Sequence, residues 1–351
     1  MWNYNDYQQW IENGCKVNDK VIELDISHNK LYELSENIDN LINLQMLNCA
    51  NNKLKKLPET IDNCINLLIF NCSDNQLTKL PENIGNLINL QIFECCHNKL
   101  EKLPKSINNL INLQNLNCSE NKLKNLSKII DKLINLHYLD CTYNKLTKLP
   151  KTIDNLVKLQ ILYCGYNKLT KLPENIGNLI NLQKFICTHN KLTKLPKTLF
   201  NLINLEILFC EDNKLTKLSK SIDNLINLQQ IIFSNNKLTE LPISLIKLKK
   251  IYHILHDDDI KLPINLQRFI NRINNKIHND VHNNYIQTSL LDSINNLLSE
   301  IIIIKYNIID DNILDSKTKS ILYNFIEDKT VGELLINFEE LLVYILQKIE
   351  N

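Results

Sequence analysis

Residues 136–158 read LHYLDCTYNKLTKLPKTIDNLVK, and residues 159–181 read LQILYCGYNKLTKLPENIGNLIN. Laid over one another, the stretches keep a single apolar frame: Leu136, Leu139, Cys141, Asn144, Leu146, Leu149, Pro150, Ile153 and Leu156 recur 23 positions on. The frame continues in both directions without an insertion. Its asparagines stand at Asn29, Asn52, Asn75, Asn98, Asn121, Asn144, Asn167, Asn190, Asn213 and Asn236, which makes ten units of 23 residues. A strict period of this length is the signature of a stacked array rather than a closed globule.

Each unit carries two shorter periods. Leu139 and Cys141 are two apart, the spacing of a strand with one buried face, and Ile153, Leu156 and Leu159 are three apart, the spacing of a tight helical turn. A strand and its return cannot bury their own apolar edge, so the units must stack into a solenoid with a parallel sheet along one side. At ~4.8 Å per strand, ten strands span roughly 45 Å. Strands pack more closely than the bulkier returns, which makes the sheet side concave. Asparagine suits its column because one amide both donates and accepts, and so serves the backbone groups freed where the strand turns away. Seven of the eight prolines occupy one column (58, 81, 104, 150, 173, 196 and 242), where a fixed φ and a missing N–H are tolerated, and Ser35, Ser127 and Ser219 replace proline in other units.

The pattern L-x-x-L-x-C-x-x-N-x-L-x-x-L-P-x-x-I-x-x-L resembles the 23-residue form of the leucine-rich repeat over residues 21–250. The resemblance implies an α/β solenoid: a right-handed horseshoe with a concave parallel sheet, here followed by a small all-α C-terminal region. The expected organisation is an N-terminal helical cap at 1–20, the solenoid at 21–250, a degenerate repeat and capping helix at 251–278, and a helical region at 279–351. The composition, rich in Asn, Ile and Lys, resembles the leucine-rich-repeat proteins of giant amoeba-infecting DNA viruses, which implies contact with host or viral proteins.

Composition removes several alternatives. The chain has 351 residues and a formal charge of +1, which disfavours a globally basic nucleic-acid binder. Five glycines, at 14, 85, 165, 177 and 332, allow no phosphate-cradling glycine loop. The amino terminus lacks a basic segment followed by an apolar one, and the longest apolar run, Ile301–Ile304, is far short of the ~20 residues that cross a bilayer. The expectation is a soluble, cytoplasmic protein, acting in a host cell if the viral resemblance holds, with no cofactor and its thiols reduced.

Eight of the eleven cysteines form a column three residues before the asparagines (Cys49, Cys72, Cys95, Cys118, Cys141, Cys164, Cys187 and Cys210), with Ile26 and Phe233 completing it. Exchange with isoleucine and phenylalanine marks a buried apolar slot. A metal or redox ladder would need tetrahedral convergence or a neighbouring histidine, and the column offers neither. Cys15, Cys64 and Cys96 stand outside it; Cys64 takes a leucine slot, and Cys96 is expected to be exposed on the concave face.

Recognition belongs to the positions that alternate with the buried ones. Four residues before each asparagine the chain places Asp25, Asn48, Asn71, Glu94, Asn117 and Asp140, then Tyr163, Ile186, Phe209 and Ile232. Beside the apolar end stand Tyr138, Tyr143, Ile161, Tyr166 and Ile207. The expectation is a contiguous apolar patch that takes a protein or peptide partner, with an acidic shoulder at Asp25, Glu94, Glu120 and Asp140. The alternative is a patch covered by the chain's own tail. A lysine follows the asparagine in nine units and forms a second row at Lys56, Lys79, Lys102, Lys148, Lys171, Lys194 and Lys217. These rows contain no arginine and no interleaved aromatic residues, so they read as a solvated flank, not as a nucleic-acid or membrane surface.

At the ends, Tyr7, Trp10 and Ile11 suit a short covering helix, while Asp257, Asp258 and Asp259 replace the asparagine turn before Leu262 and Pro263. Phe269, Ile270, Ile273 and Ile277 make a helical stripe, Leu290 to Ile302 a longer one, and Ser316 and the Thr330–Glu333 pair suit helix caps. Some bacterial leucine-rich-repeat effectors carry a helical C-terminal ubiquitin ligase with a nucleophilic cysteine. That is the rival reading, but no cysteine follows Cys210, so the mechanism lacks its nucleophile. His278 and His282 have helical i, i+4 spacing without the glutamate of a zinc protease, and His256 beside three aspartates reads as a polar turn. The function expected is therefore non-enzymatic, a scaffold that docks another protein. Partner and oligomeric state are not written in the sequence.

Overall fold

The computed structural model describes residues 1–126 and 130–274. The chain divides into Met1–His278 and Asn279–Asn351, and the expectations placed on the second part, with those on Ile277, His278 and Ser127, lie outside the described residues.

Each unit makes a strand of three residues, and eleven of them form one open, curved parallel sheet in strict chain order: β1 (Glu23–Asp25), β2 (Met46–Asn48), β3 (Ile69–Asn71), β4 (Ile92–Glu94), β5 (Asn115–Asn117), β6 (Tyr138–Asp140), β7 (Ile161–Tyr163), β8 (Lys184–Ile186), β9 (Ile207–Phe209), β10 (Gln230–Ile232) and β11 (His253–Leu255). Register follows the repeat, so Tyr138 faces Ile161 and Asp140 faces Tyr163. Ten strands are expected from the asparagines. The eleventh forms because β11 pairs with β10 in the same register although Asp259 replaces the repeat asparagine.

The strands are short because the chain leaves each of them abruptly. The residue before every repeat asparagine has positive φ, between 48° and 60°, although none is glycine. This left-handed conformation costs about 1–2 kcal/mol for an ordinary side chain. The next residue holds it in place. The Asn121 Nδ2 donates to the carbonyls of Cys95, Cys118 and Ser119 at 3.0, 3.3 and 2.9 Å, and its Oδ1 accepts from the Leu100 N–H at 2.9 Å. One amide thus closes its own turn and ties it to the preceding unit. Asn52, Asn75, Asn98, Asn144, Asn167, Asn190 and Asn213 repeat the pattern, all buried. Asn236 keeps it while half-buried, and Asn29 in the first unit donates to the Ser27 carbonyl.

Among the described residues, the returns of nine units are short 3₁₀ turns, as the spacing of three requires. Pro150 precedes the turn Lys151–Asn155 at φ −57°, and Ser219 takes the same place before Lys220–Asn224 at φ −69°, its hydroxyl accepting from the Ser221 N–H. Neighbouring turns approach closely: a Cβ on Gly85 or Gly177 would lie 1.9 or 2.0 Å from the carbonyl oxygen of Ser106 or Thr198. Between sheet and turns, the core is a set of stacked columns. The cysteine column is fully buried, and the Cys118 and Cys141 thiols donate to the carbonyls of Asp140 and Tyr163 at 3.3 and 3.2 Å. Burial pushes these thiols far above the ordinary range, so they are neutral apolar filling.

Both ends are covered. The helix α1 (Tyr4–Glu12) starts on a capping box of Asn3 and Asp6 and buries Tyr7 and Trp10. The Tyr7 hydroxyl accepts from the Ser35 N–H, and Trp2 pairs with Leu24 along the open edge of β1. At the other end residues 264–274 are helical, with Leu266, Ile270 and Ile273 buried, and the Asn274 amide donates to the Ile254 carbonyl.

Candidate functional site

The last residue of each strand looks out of the sheet, and this column has two chemically distinct halves. From β1 to β6 five of its six side chains, all but Glu94, serve the chain's own backbone. Asp25 accepts from the Ser27 N–H at 2.9 Å and from the Asn48 amide at 3.0 Å. Asn48, Asn71 and Asn117 each accept from the N–H two residues on. Asp140 accepts from the Thr142 N–H and hydroxyl, both at 2.8 Å, and from the Tyr138 hydroxyl at 3.3 Å. The expected acidic shoulder is therefore not a row of free carboxylates. Both Asp140 oxygens are occupied, burial holds Glu94 up to about 7, and Glu120 belongs to another column, where it meets the His97 Nε2 at 2.8 Å. From β7 onward the strand-end column is Tyr163, Ile186, Phe209, Ile232 and Leu255, and the last four side chains carry no hydrogen-bonding atom with which to cap a turn.

The column two residues earlier is Tyr138, Ile161, Lys184, Ile207 and Gln230. Lys184 stands between Ile161 and Ile207 and interrupts this column, while the strand-end column beside it runs unbroken from Tyr163 through Ile186 and Phe209 to Ile232. Tyr138 and Tyr163 meet edge to face at 5.8 Å.

Tyr143 and Tyr166 lie beyond the strand ends, in the left-handed column. That backbone aligns their rings in parallel, so Tyr143 stacks on Tyr166 at 4.0 Å and Tyr166 on His189 at 4.0 Å, and His189 reaches Asp212 at 3.4 Å. Tyr143 and Tyr166 are 49% and 39% exposed, far more than the half-buried residues of the wall. Sequence reading places the two tyrosines beside the patch but misses His189, Asp212 and Lys184. The same period of 23 would have found them, had the column before the asparagines been read with the others.

The remaining candidates resolve simply. Cys96 is half-buried and raised by burial to about 12, which replaces the expected exposed thiol with an unreactive one. His256 contacts the Asp257 carbonyl, and the Asp257 carboxylate accepts from the N–H groups of Asn235 and Asn236, so this acidic turn terminates the ladder. Among the described residues no group of three His, Cys, Asp or Glu side chains is placed to hold a metal ion, and no helix is long and apolar enough to cross a membrane.

With this geometry the relationship to known proteins is direct. The model of the leucine-rich repeat region matches residues 117–211, and that of the leucine-rich repeat matches residues 43–64. The fold is that of a leucine-rich-repeat solenoid. No curated protein matches its sequence. Among solved structures it is similar to a TDR receptor, with 28% identity, TM-score 0.67, and coverage of 74% of this chain and 46% of that one. It is also similar to the plant peptide hormone receptor RGFR1 in complex with RGF2, with 28% identity, TM-score 0.56 and coverage of 68% and 44%. A third likeness is to the functional domain of InlJ from Listeria monocytogenes, which includes a cysteine ladder, with 26% identity, TM-score 0.53 and coverage of 68% and 54%. The leucine-rich-repeat chain thus spans about half the length of each.

Proposed function

We propose that the concave wall of β6 to β10, with the Tyr143–Tyr166–His189 ridge at its border, docks a protein or peptide partner. The observation that carries this reading is the change along one column, from polar side chains that cap their own turns to Tyr163, Ile186, Phe209 and Ile232. Aromatic and aliphatic groups held by a stacked solenoid lose little freedom on contact, and aromatic residues are enriched at binding hot spots. The likeness to a peptide hormone receptor solved with its peptide supports the choice of partner class. Lys184 within the wall suits a partner with a carboxylate opposite it. The solenoid itself performs no chemistry in this reading, which also places the protein inside a cell, where its eleven unpaired cysteines stay reduced. The resemblance to giant-virus repeat proteins fits a host or viral protein as the partner.

The test is selection of a displayed peptide library on the full chain, followed by titration of the best binder. The double substitution Tyr163→Ala and Phe209→Ala should weaken binding roughly tenfold or more, with little change between low and high salt. Affinity that ignores both substitutions and collapses with salt would instead point to the lysine rows and a polyanion.

A further inference from the structure

One position per unit breaks the rule that aliphatic side chains are buried. It is the thirteenth residue after the repeat asparagine in the first nine units, beginning at Ile42 and ending at Ile226, with Val157 in the sixth place. All nine side chains are 48–59% exposed. Isolated exposed isoleucines need no explanation, but nine in register along one edge form a continuous stripe.

The surroundings of the stripe are uniform. Asparagine stands two residues before and one residue after nearly every member, and the only charged side chains at those places are Lys132 and Lys158. The following asparagines are fixed: Asn89, Asn112 and Asn135 donate to the carbonyls of Ile65, Ile88 and Ile111 at 2.9, 2.9 and 2.8 Å. With Gln91 and Gln114 they line a groove of about 440 Å³ beside the stripe. An apolar centre with a rigid, uncharged amide rim is the anatomy of a protein interface, where charged residues are depleted from the core.

We propose that this stripe is where a second copy of the chain docks, stripe against stripe. Nine half-exposed aliphatic side chains present on the order of 800 Å², roughly what each partner contributes to a standard interface. The two surfaces share one repeat spacing, so a self-complementary, isologous contact forms without any change in the solenoid. A net charge of +1 leaves the copies without long-range repulsion.

Sedimentation equilibrium of the full chain tests the proposal. The expected mass is twice 41.1 kDa, and Ile134→Lys, at the centre of the stripe, should return it to a monomer. Because Ile134 is 51% exposed, that variant should stay folded, with the wild-type circular-dichroism spectrum and a melting temperature that no longer depends on protein concentration, and Ile134→Val should remain dimeric. Tyr166→Ala, on the recognition ridge, should leave the dimer intact, which separates this contact from partner docking. A monomeric wild type, whatever then covers the stripe, would overturn the proposal. So would a dimer that survives Ile111→Lys and Ile134→Lys together.

Discussion

Asn121 and Glu211 are polar residues from nearby columns of the repeated turn, in the fifth and ninth units, and the structure treats them in opposite ways. Every hydrogen of the Asn121 amide is placed, and its oxygen reaches into the preceding unit. Replacing it by leucine strands the Leu100 N–H and three carbonyls, with an expected loss of roughly 1–3 kcal/mol or more in urea unfolding. Asn29→Leu should cost clearly less, because Asn29 is half-buried at the first unit. Glu211 occupies a column of small residues, Thr188 and Ser234 on either side, and its Oε2 is buried without a partner. Burial holds its carboxyl up to about 7 instead of 4.5. The folded state therefore keeps a proton that the unfolded chain releases, and stability should be full below about pH 4.5 and decline as the pH rises to about 7. Glu94 adds a parallel loss over the same window. Glu211→Ser should gain roughly 1–2 kcal/mol at pH 8 and flatten that slope, measured by denaturant midpoints across the range. The asparagine and cysteine columns are legible in the sequence because each admits almost one residue type. The misfit of Glu211 is not, because its meaning depends on how little room the backbone leaves there.

At the scale of the strand and its return, proline and the left-handed turn act as fixed corners. Ser219 has φ −69° and ψ 142°, next to the values that proline adopts in the other units, with φ −57° to −68°. Ser219→Pro should raise stability by about 0.4–1 kcal/mol through the unfolded chain, less the small contribution of the lost hydroxyl cap. A rise in the urea midpoint at constant slope checks it, and a fall would mean that the cap outweighs chain entropy. Spacing alone gives the strand, the 3₁₀ turn and the concave column. It does not give the tyrosine ridge, because stacking of Tyr143, Tyr166 and His189 arises from a backbone conformation that these residue types rarely adopt. Nor does one column reveal its neighbour: Lys184 is seen within the apolar wall, beside Ile161 and Ile207, only when two columns are set in register across β7, β8 and β9.

For the molecule as a whole, stacking separates two jobs. Interior columns hold each unit to the next, and stability accumulates through these nearest-neighbour contacts. The surfaces are then free to differ: polar side chains over the first six strands, five of them closing their own turns, aromatic and aliphatic ones over the next four, and an aliphatic stripe along another edge. The period made the solenoid readable at a glance, whereas the eleventh strand was hidden by the loss of its asparagine, since backbone pairing with β10 survives without that side chain. The most direct test of the recognition wall is hydrogen exchange of the full chain with and without a selected peptide. Ligand-dependent protection is expected in residues 138–143, 161–166, 184–189 and 207–209. Protection confined to the lysine rows, or to the first five strands, would contradict the account.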